Sequence, residues 1–162
     1  APAGHSLIKN KMRETGALLA GEMSGHVCFA DNYFGFDDAI FAAGRILQIV
    51  AQSSMKVSEM LADLPKTSYT PEIRIDCPDD KKFEIVRELT ETFRSQYEVI
   101  DIDGVRIDFD DGWALIRASN TQPVIVLRFE ANNEARLIKL VGMVKEKMDH
   151  YQPIVDFNYS IC

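Results

Sequence analysis

Three side chains of different chemistry, Glu22, Ser24 and His26, alternate along Gly21-Glu22-Met23-Ser24-Gly25-His26. A carboxylate accepts hydrogen bonds, a hydroxyl donates and accepts, and an imidazole exchanges a proton near neutral pH. Gly21 and Gly25 allow positive φ and close backbone approach to a ligand. The flanking apolar runs, Ala17–Ala20 and Val27–Ala30, are each long enough for a short buried strand. The hexamer therefore reads as a binding loop on a rigid scaffold, or as a turn with incidental polar residues. A Ser-His-acid hydrolase fits the residue types. Yet Glu22, Ser24 and His26 lie too close in sequence for such a triad, and one loop splays them toward a shared ligand instead. His26 is the candidate for proton transfer; His5 lies near a second loop, and His150 follows the last helix.

A second constellation is Arg117-Ala118-Ser119-Asn120-Thr121-Gln122-Pro123. It joins two apolar strands, so its polar residues crowd one end of a sheet. Arginine presents a planar fork of donors suited to phosphate oxygens. Ser119, Asn120 and Thr121 add neutral donors, a turn adds backbone N–H groups, and Pro123 stiffens the exit. The competing reading is an ordinary polar turn beside a surface arginine. Two acidic stretches, Asp101-Ile102-Asp103-Gly104 and Asp108-Phe109-Asp110-Asp111-Gly112, invite a metal reading. A Ca²⁺ loop needs alternating oxygens and a distal Glu, whereas Val105, Arg106 and Ile107 follow the first Gly. Both are better read as hairpin turns, and no metal site is expected in this chain.

The elements that must position these groups follow from periodicity. Ser6 is a candidate cap for a helix to about Thr15, with Leu7, Ile8 and Met12 inward and Gly16 as its stop. Asp31–Phe36 reads as a loop with aromatic anchors. Asp37 is the candidate cap of a helix to about Gln52, with Ile40, Ala43, Leu47 and Val50 on one face, widened by Phe41, Ile46 and Ile49; it is expected to be well buried. A short helix is expected over Val57–Leu64, ended by Pro65. Composition turns polar at Lys66–Thr70, which marks a domain boundary. Beyond it come a strand over Tyr69–Cys77 and a helix from Asp79 or Asp80 with Phe83, Val86, Leu89 and Phe93 inward. Strands are then expected over Val99–Ile102, Val105–Phe109, Trp113–Ala118 and Val124–Phe129. A last helix spans Asn133–Met148 with Leu137, Leu140, Val141, Val144 and Met148 inward. The fold class is mixed α+β, the second half being an antiparallel sheet with helices on one face. The stretch from Tyr151 to Cys162 has no clear assignment.

Composition bounds the function. With 162 residues, 46% hydrophobic and 27% charged, the chain has material for one large or two small domains. A net charge of −7 argues against nucleic-acid binding, and no apolar run approaches a membrane span. Cys28, Cys77 and Cys162 are odd in number and lack CxxC spacing, which fits a reducing, cytoplasmic compartment.

Taken together, the two motifs resemble the α-D-phosphohexomutases, most closely the bacterial phosphomannomutase/phosphoglucomutase branch. The resemblance extends through Gly4-His5-Ser6-Leu7-Ile8-Lys9, Tyr33-Phe34-Gly35-Phe36-Asp37-Asp38, Asp103-Gly104-Val105-Arg106 and Val126-Leu127-Arg128-Phe129-Glu130. Met23 fits this branch, since phosphoglucosamine mutases typically carry Gln there. The resemblance implies that residues 1–66 are the C-terminal part of an α/β sugar-binding third domain. Residues 67–162 would be a fourth, phosphate-binding domain with a fold like half of the TATA-binding protein. It implies a reversible phosphoryl transfer between the 1- and 6-positions of a hexose through a bisphosphate.

The family's phosphoserine loop and its Mg²⁺ loop have no counterpart in these 162 residues. The chain is thus expected to be a fragment, inactive alone, whose parent uses Mg²⁺, hexose 1,6-bisphosphate and the missing N-terminal domains. By resemblance, Glu22 and Ser24 hold sugar hydroxyls, His5 lines the sugar site and His26 assists proton transfer. Arg117, Ser119, Asn120 and Thr121 would grip the non-reacting phosphate of glucose or mannose 1- or 6-phosphate. The alternative is a stand-alone phosphosugar- or anion-binding module.

Overall fold

The computed structural model describes residues 4–22 and 24–159; Met23 and Cys162, singled out above, lie outside the described residues. The chain is mixed α+β and divides into two compact units, Ala1–Pro65 and Lys66–Cys162. Among the described residues no helix is long and apolar enough to cross a membrane.

In the first unit, helix α1 (His5–Thr15) ends where Gly16 adopts the left-handed conformation at φ 68° and donates back to Met12. Its N-cap is Gly4 without any side-chain cap, so Ser6 lies inside the first turn rather than capping it. Ile8 and Met12 are buried against Cys28, whereas Leu7 points out. Strands β1 (Leu19–Gly21), β2 (Val27–Phe29) and β3 (Phe36–Asp37) form a small antiparallel sheet. The expected buried character of the first strand fails, since both Leu18 and Leu19 are exposed.

Helix α2 (Ala39–Gln52) starts one residue later than expected. Asp37 pairs with Cys28 in the sheet, and Asp38 takes the cap, accepting from the Phe41 N–H at 2.9 Å. None of the residues of α2 is buried, against the expectation of a well-buried helix; Ile40 is 87% and Leu47 68% exposed. The reason is area: strands of two or three residues cannot cover a helix of 14. Only the Phe41 side is packed, its ring stacked on Tyr33 at 3.8 Å and edge-on to Phe29 at 5.5 Å. The helix expected over Val57–Leu64 is instead a 3₁₀ turn at Val57–Glu59 followed by turns. Its backbone bonds span three residues, as in Ala62 to Glu59 and Leu64 to Leu61, a pattern common in segments too short to nucleate an α-helix.

The second unit is an antiparallel sheet with two helices on one face. Its strands are β4 (Ser68–Tyr69), β5 (Ile73–Asp76), β6 (Glu98–Ile100), β7 (Val105–Asp108), β8 (Gly112–Ala118) and β9 (Val124–Ala131). The order is β4-β9-β8-β7-β6, with β5 also paired to β9. The single strand expected over Tyr69–Cys77 is therefore interrupted. Tyr69 pairs with Glu130 but Ile73 with Leu127, so three residues oppose two, and a bulge absorbs the extra one. Pro71 has no N–H to give the ladder, and the buried Thr70 repairs it. Its N–H donates to the Phe129 carbonyl at 3.0 Å, and its hydroxyl accepts the Phe129 N–H at 3.1 Å.

Helices α3 (Asp79–Arg94) and α4 (Glu134–Met148) cover the face formed by Ile73, Ile75, Val105, Ile107, Ala114, Ile116, Ile125, Leu127 and Phe129. Each large side chain buried here contributes about 1.5–3 kcal/mol. The inward residues of α4 are those expected, and Asn133 caps it by accepting the Arg136 N–H. On α3, Val86, Leu89 and Phe93 face inward as expected, but Phe83 is 55% exposed, and Lys82 beside it is buried one turn before Ile85 and Val86.

The two acidic stretches are hairpin turns. Gly104 sits at φ 76°, where an added Cβ would lie 2.3 Å from the Ile116 carbonyl, so the β6–β7 turn presses on β8 at that residue. In the β7–β8 turn Asp110 takes the positive φ. The unassigned C-terminal stretch makes a 3₁₀ turn at Asp149–Tyr151, then sends Val155 and Phe157 into the core. Lys145 Nζ fixes it by donating to the Phe157 carbonyl at 2.5 Å.

The Tyr151 hydroxyl donates to Glu88 Oε2 at 3.0 Å, and burial together with that carboxylate pushes the phenol up to about 12 from 10.0. A raised folded value gives stability that is present below pH 10 and lost as pH rises through 12. Urea unfolding between pH 9 and pH 12 is expected to show a fall in midpoint that is shallower in Tyr151→Phe; an identical pH profile would contradict this coupling.

Candidate functional site

The Gly21–His26 segment is a tight hairpin loop between β1 and β2. The Glu22 N–H donates to the His26 carbonyl at 2.9 Å, the Gly25 N–H to the Glu22 carbonyl at 3.0 Å, and Gly25 takes φ 90°. Glu22 is half-buried, and its Oε1 accepts the Gly4 N–H at 3.1 Å, which ties the loop to the start of α1. His5, the first residue of α1, is exposed one residue beyond that tie. Ser24 and His26 are exposed on the loop.

His26 does have a carboxylate partner, but it is Asp37 on β3 rather than Glu22, with Nδ1 to Oδ2 at 2.5 Å. Whether the ring is neutral or charged, Nδ1 is the atom that donates, so in the neutral ring Nε2 is left as the proton acceptor. Asp37 is therefore not the helix cap that the sequence suggests. The available signal was the Asp37-Asp38 doublet, of which only one can cap. Asp38 is fully occupied there, accepting also from the Tyr33 hydroxyl at 2.5 Å, and these bonds hold its carboxyl below the usual range.

The second loop leaves β8 at Ala118 and enters β9 at Val124. Arg117 alternates with the buried Ile116 and Ala118, so it lies on the sheet face away from the helices, 3.6 Å from Asp103 Oδ2. Ser119 is buried, and its hydroxyl oxygen accepts from the Thr121 and Gln122 N–H groups at 3.4 and 3.2 Å. It shapes the loop from within while its own O–H remains a donor. Asn120 and Thr121 are exposed on the loop. Asn120 also lines a cleft of about 360 Å³ together with Phe83, Arg87, Arg94 and Asp103.

The far side of the loop is anchored in three places: the Val124 N–H and Lys82 Nζ both donate to the Gln122 carbonyl, at 2.8 and 2.9 Å, and the Cys77 N–H donates to the Pro123 carbonyl at 2.9 Å. The Arg74 guanidinium donates to the Gln122 side-chain carbonyl. Burial pushes the Cys77 thiol up, with the Lys82 ammonium pulling the other way.

Four carboxylates of the acidic turns are paired with arginines. Asp101 pairs with Arg94 at 2.6 Å, Asp108 with Arg106 at 3.2 Å and Asp111 with Arg136 at 2.7 Å, beside the Asp103–Arg117 pair. Arg94 holds the Asp101 carboxyl below its ordinary value through its hydrogen bond. Among the described residues no group of three His, Cys, Asp or Glu side chains is disposed to hold a metal.

If Asp37 fixes the His26 ring, Asp37→Ala will release it. Histidine ¹⁵N NMR is expected to show the Nδ1–H form of His26 in the unsubstituted chain at high pH and a shift toward Nε2–H in the variant. An unchanged tautomer would show that the pair does not set the ring.

Comparison with known proteins places these features. Residues 1–68 match phosphoglucomutase/phosphomannomutase, alpha/beta/alpha domain III, and residues 72–147 match the phosphoglucomutase/phosphomannomutase C-terminal domain. The chain is 47% identical over 146 residues to a phosphomannomutase/phosphoglucomutase of Pseudomonas aeruginosa strain PAO1, covering 90% of this chain and 32% of that protein. It is 46% identical over 145 residues to a phosphoglucomutase of Neisseria gonorrhoeae, covering 88% and 31%. A crystal structure of a phosphoglucomutase/phosphomannomutase family protein from Burkholderia thailandensis superposes with a TM-score of 0.83 at 41% identity, covering 97% of this chain and 33% of that one. The chain thus spans about a third of the length of the relatives it matches. With both units matched in order, the chain belongs to the phosphoglucomutase/phosphomannomutase family.

Proposed function

We propose that this chain supplies substrate-holding residues of a phosphohexomutase, an enzyme that interconverts hexose 1-phosphate and hexose 6-phosphate through a bisphosphate. The observation that carries this reading is the loop after β8. Ser119, Lys82 and Cys77 bond its backbone from inside, while Asn120 and Thr121 stay exposed on it. Its neutral donors stand beside an arginine at the strand end, which suits a phosphate that must be accepted and later released. In the first unit, Glu22 and Ser24 hold sugar hydroxyls. A carboxylate can accept from two vicinal hydroxyls, and a grip on the 3- and 4-hydroxyls does not read the configuration at C2. That is a physical reason for one site to take both glucose and mannose phosphates. His5 lines this sugar site, and His26, oriented by Asp37, can accept a proton at Nε2.

Phosphoryl transfer leans on positioning and charge neutralisation, and these residues contribute the positioning. The donor serine, the hexose 1,6-bisphosphate and Mg²⁺ belong, in this reading, to the enzyme as a whole. Asp101, Asp103, Asp108 and Asp111 of this chain's turns are paired with arginines, which does not suit a Mg²⁺ ligand set, so no step is drawn through the ion here. Free, buried Cys28 and Cys77 and the acidic total support a cytoplasmic enzyme acting on sugar phosphates rather than on nucleic acid.

The test is a titration of the chain with glucose 6-phosphate, followed by amide shifts of residues 117–123. Arg117→Ala is expected to weaken binding about tenfold or more, as loss of a charge-assisted contact does, with the melting temperature little changed. Loop amides that stay still at millimolar ligand would remove the phosphate assignment.

A further inference from the structure

Lys82 occupies a position where the periodicity of α3 asks for an apolar residue, and its side chain is only 4% exposed. An ammonium at that depth is held only by partners that satisfy it. One is Asp79 Oδ1 at 2.5 Å, but Asp79 is 71% exposed, and such a pair can form at the surface without burying a lysine. The other, the Gln122 carbonyl at 2.9 Å, requires the buried placement. That carbonyl also accepts the Val124 N–H at 2.8 Å, so both lone pairs are used and the peptide plane is set. Ser119 fixes the front of the loop through the Thr121 and Gln122 N–H groups, and Lys82 fixes its back; Asn120 and Thr121 lie between.

We infer that Lys82 is the positioning residue of the phosphate loop, its buried bond to the Gln122 carbonyl holding Asn120 and Thr121 ready for the phosphate of a sugar phosphate. It touches no ligand itself. The inference rests on the phosphate role proposed above and adds the device that preorganises the loop.

The test compares Lys82→Met, which keeps the stem and removes the ammonium, with Lys82→Arg, which keeps charge and donors. Glucose 6-phosphate binding and amide hydrogen exchange are measured on the whole chain. Lys82→Met is expected to bind at least tenfold more weakly and to lose protection at Thr121 and Gln122 while Leu127 stays protected; Lys82→Arg is expected to recover most of both. A folded Lys82→Met that binds within twofold of the unsubstituted chain with a protected loop overturns the inference. Should that variant not fold, a through-hydrogen-bond NMR correlation between Lys82 Nζ and the Gln122 carbonyl carbon in the unsubstituted chain decides instead: its presence supports the inference and its absence overturns it. If the unsubstituted chain fails to bind glucose 6-phosphate, the phosphate reading falls, while the exchange data still decide whether Lys82 orders the loop.

Discussion

The β8–β9 ladder is the constraint on which the second unit depends. Every residue of β8 pairs with β9, from Gly112 with Ala131 to Ala118 with Ile125. That register sends Ala114, Ile116 and Ala118 toward the helices with Ile125, Leu127 and Phe129, and Arg117 the other way. A slip of one residue would exchange those faces, burying arginine and exposing the core, so the hydrophobic pattern holds the register firmly. Two close approaches tighten it further. A Cβ on Gly112 would lie 2.5 Å from the Glu130 carbonyl, and one on Gly104 2.3 Å from that of Ile116. The loop between the two strands starts and ends where the ladder dictates, and its polar residues inherit their placement from it.

Charge is handled locally in a chain whose total is −7. Exposed ion pairs such as Arg94–Asp101 are screened by solvent and contribute too little to account for the fold. Their effect is on potential: each acidic turn is matched by an arginine, which limits the negative field of the turns. Arg117 is matched by Asp103 in the same way, so the proposed phosphate would have to share or displace that carboxylate. The first unit shows the same economy. Of two adjacent aspartates, Asp38 caps α2 and Asp37 orients His26, because one lies past the strand and the other still belongs to it.

Elements with a strong local signal were legible in the sequence. The inward stripe of α4, the Gly16 stop, the strands flanking Arg117–Pro123 and the two hairpins all follow from periodicity and turn chemistry. What escaped depends on partners distant in sequence. The periodicity of α2 states what that helix could bury, and the three short strands of its unit leave most of it exposed. Phe83 looked like a core residue, but Lys82 takes the inward position because the Gln122 carbonyl is there to receive it. The bulge at Thr70 had a local sign in Pro71, and the packing of Val155 and Phe157 had one in their spacing of two. Of the candidate site, the residue types were readable. Asp37 as the partner of His26 and Ser119 as an internal brace were not, since both depend on three-dimensional closure of their loops.

The Ser119–Thr121 loop with Arg117 is proposed to grip a phosphate as a phosphate, whichever end of the hexose carries it. Calorimetric titration of the chain with glucose 1-phosphate, glucose 6-phosphate and glucose measures this most directly. The dissociation constants of the two phosphates are expected within about threefold of each other, both weakened by added salt, with no binding of glucose at the same concentrations. Binding of glucose equal to that of its phosphates, or a preference above tenfold for one phosphate position, would contradict it.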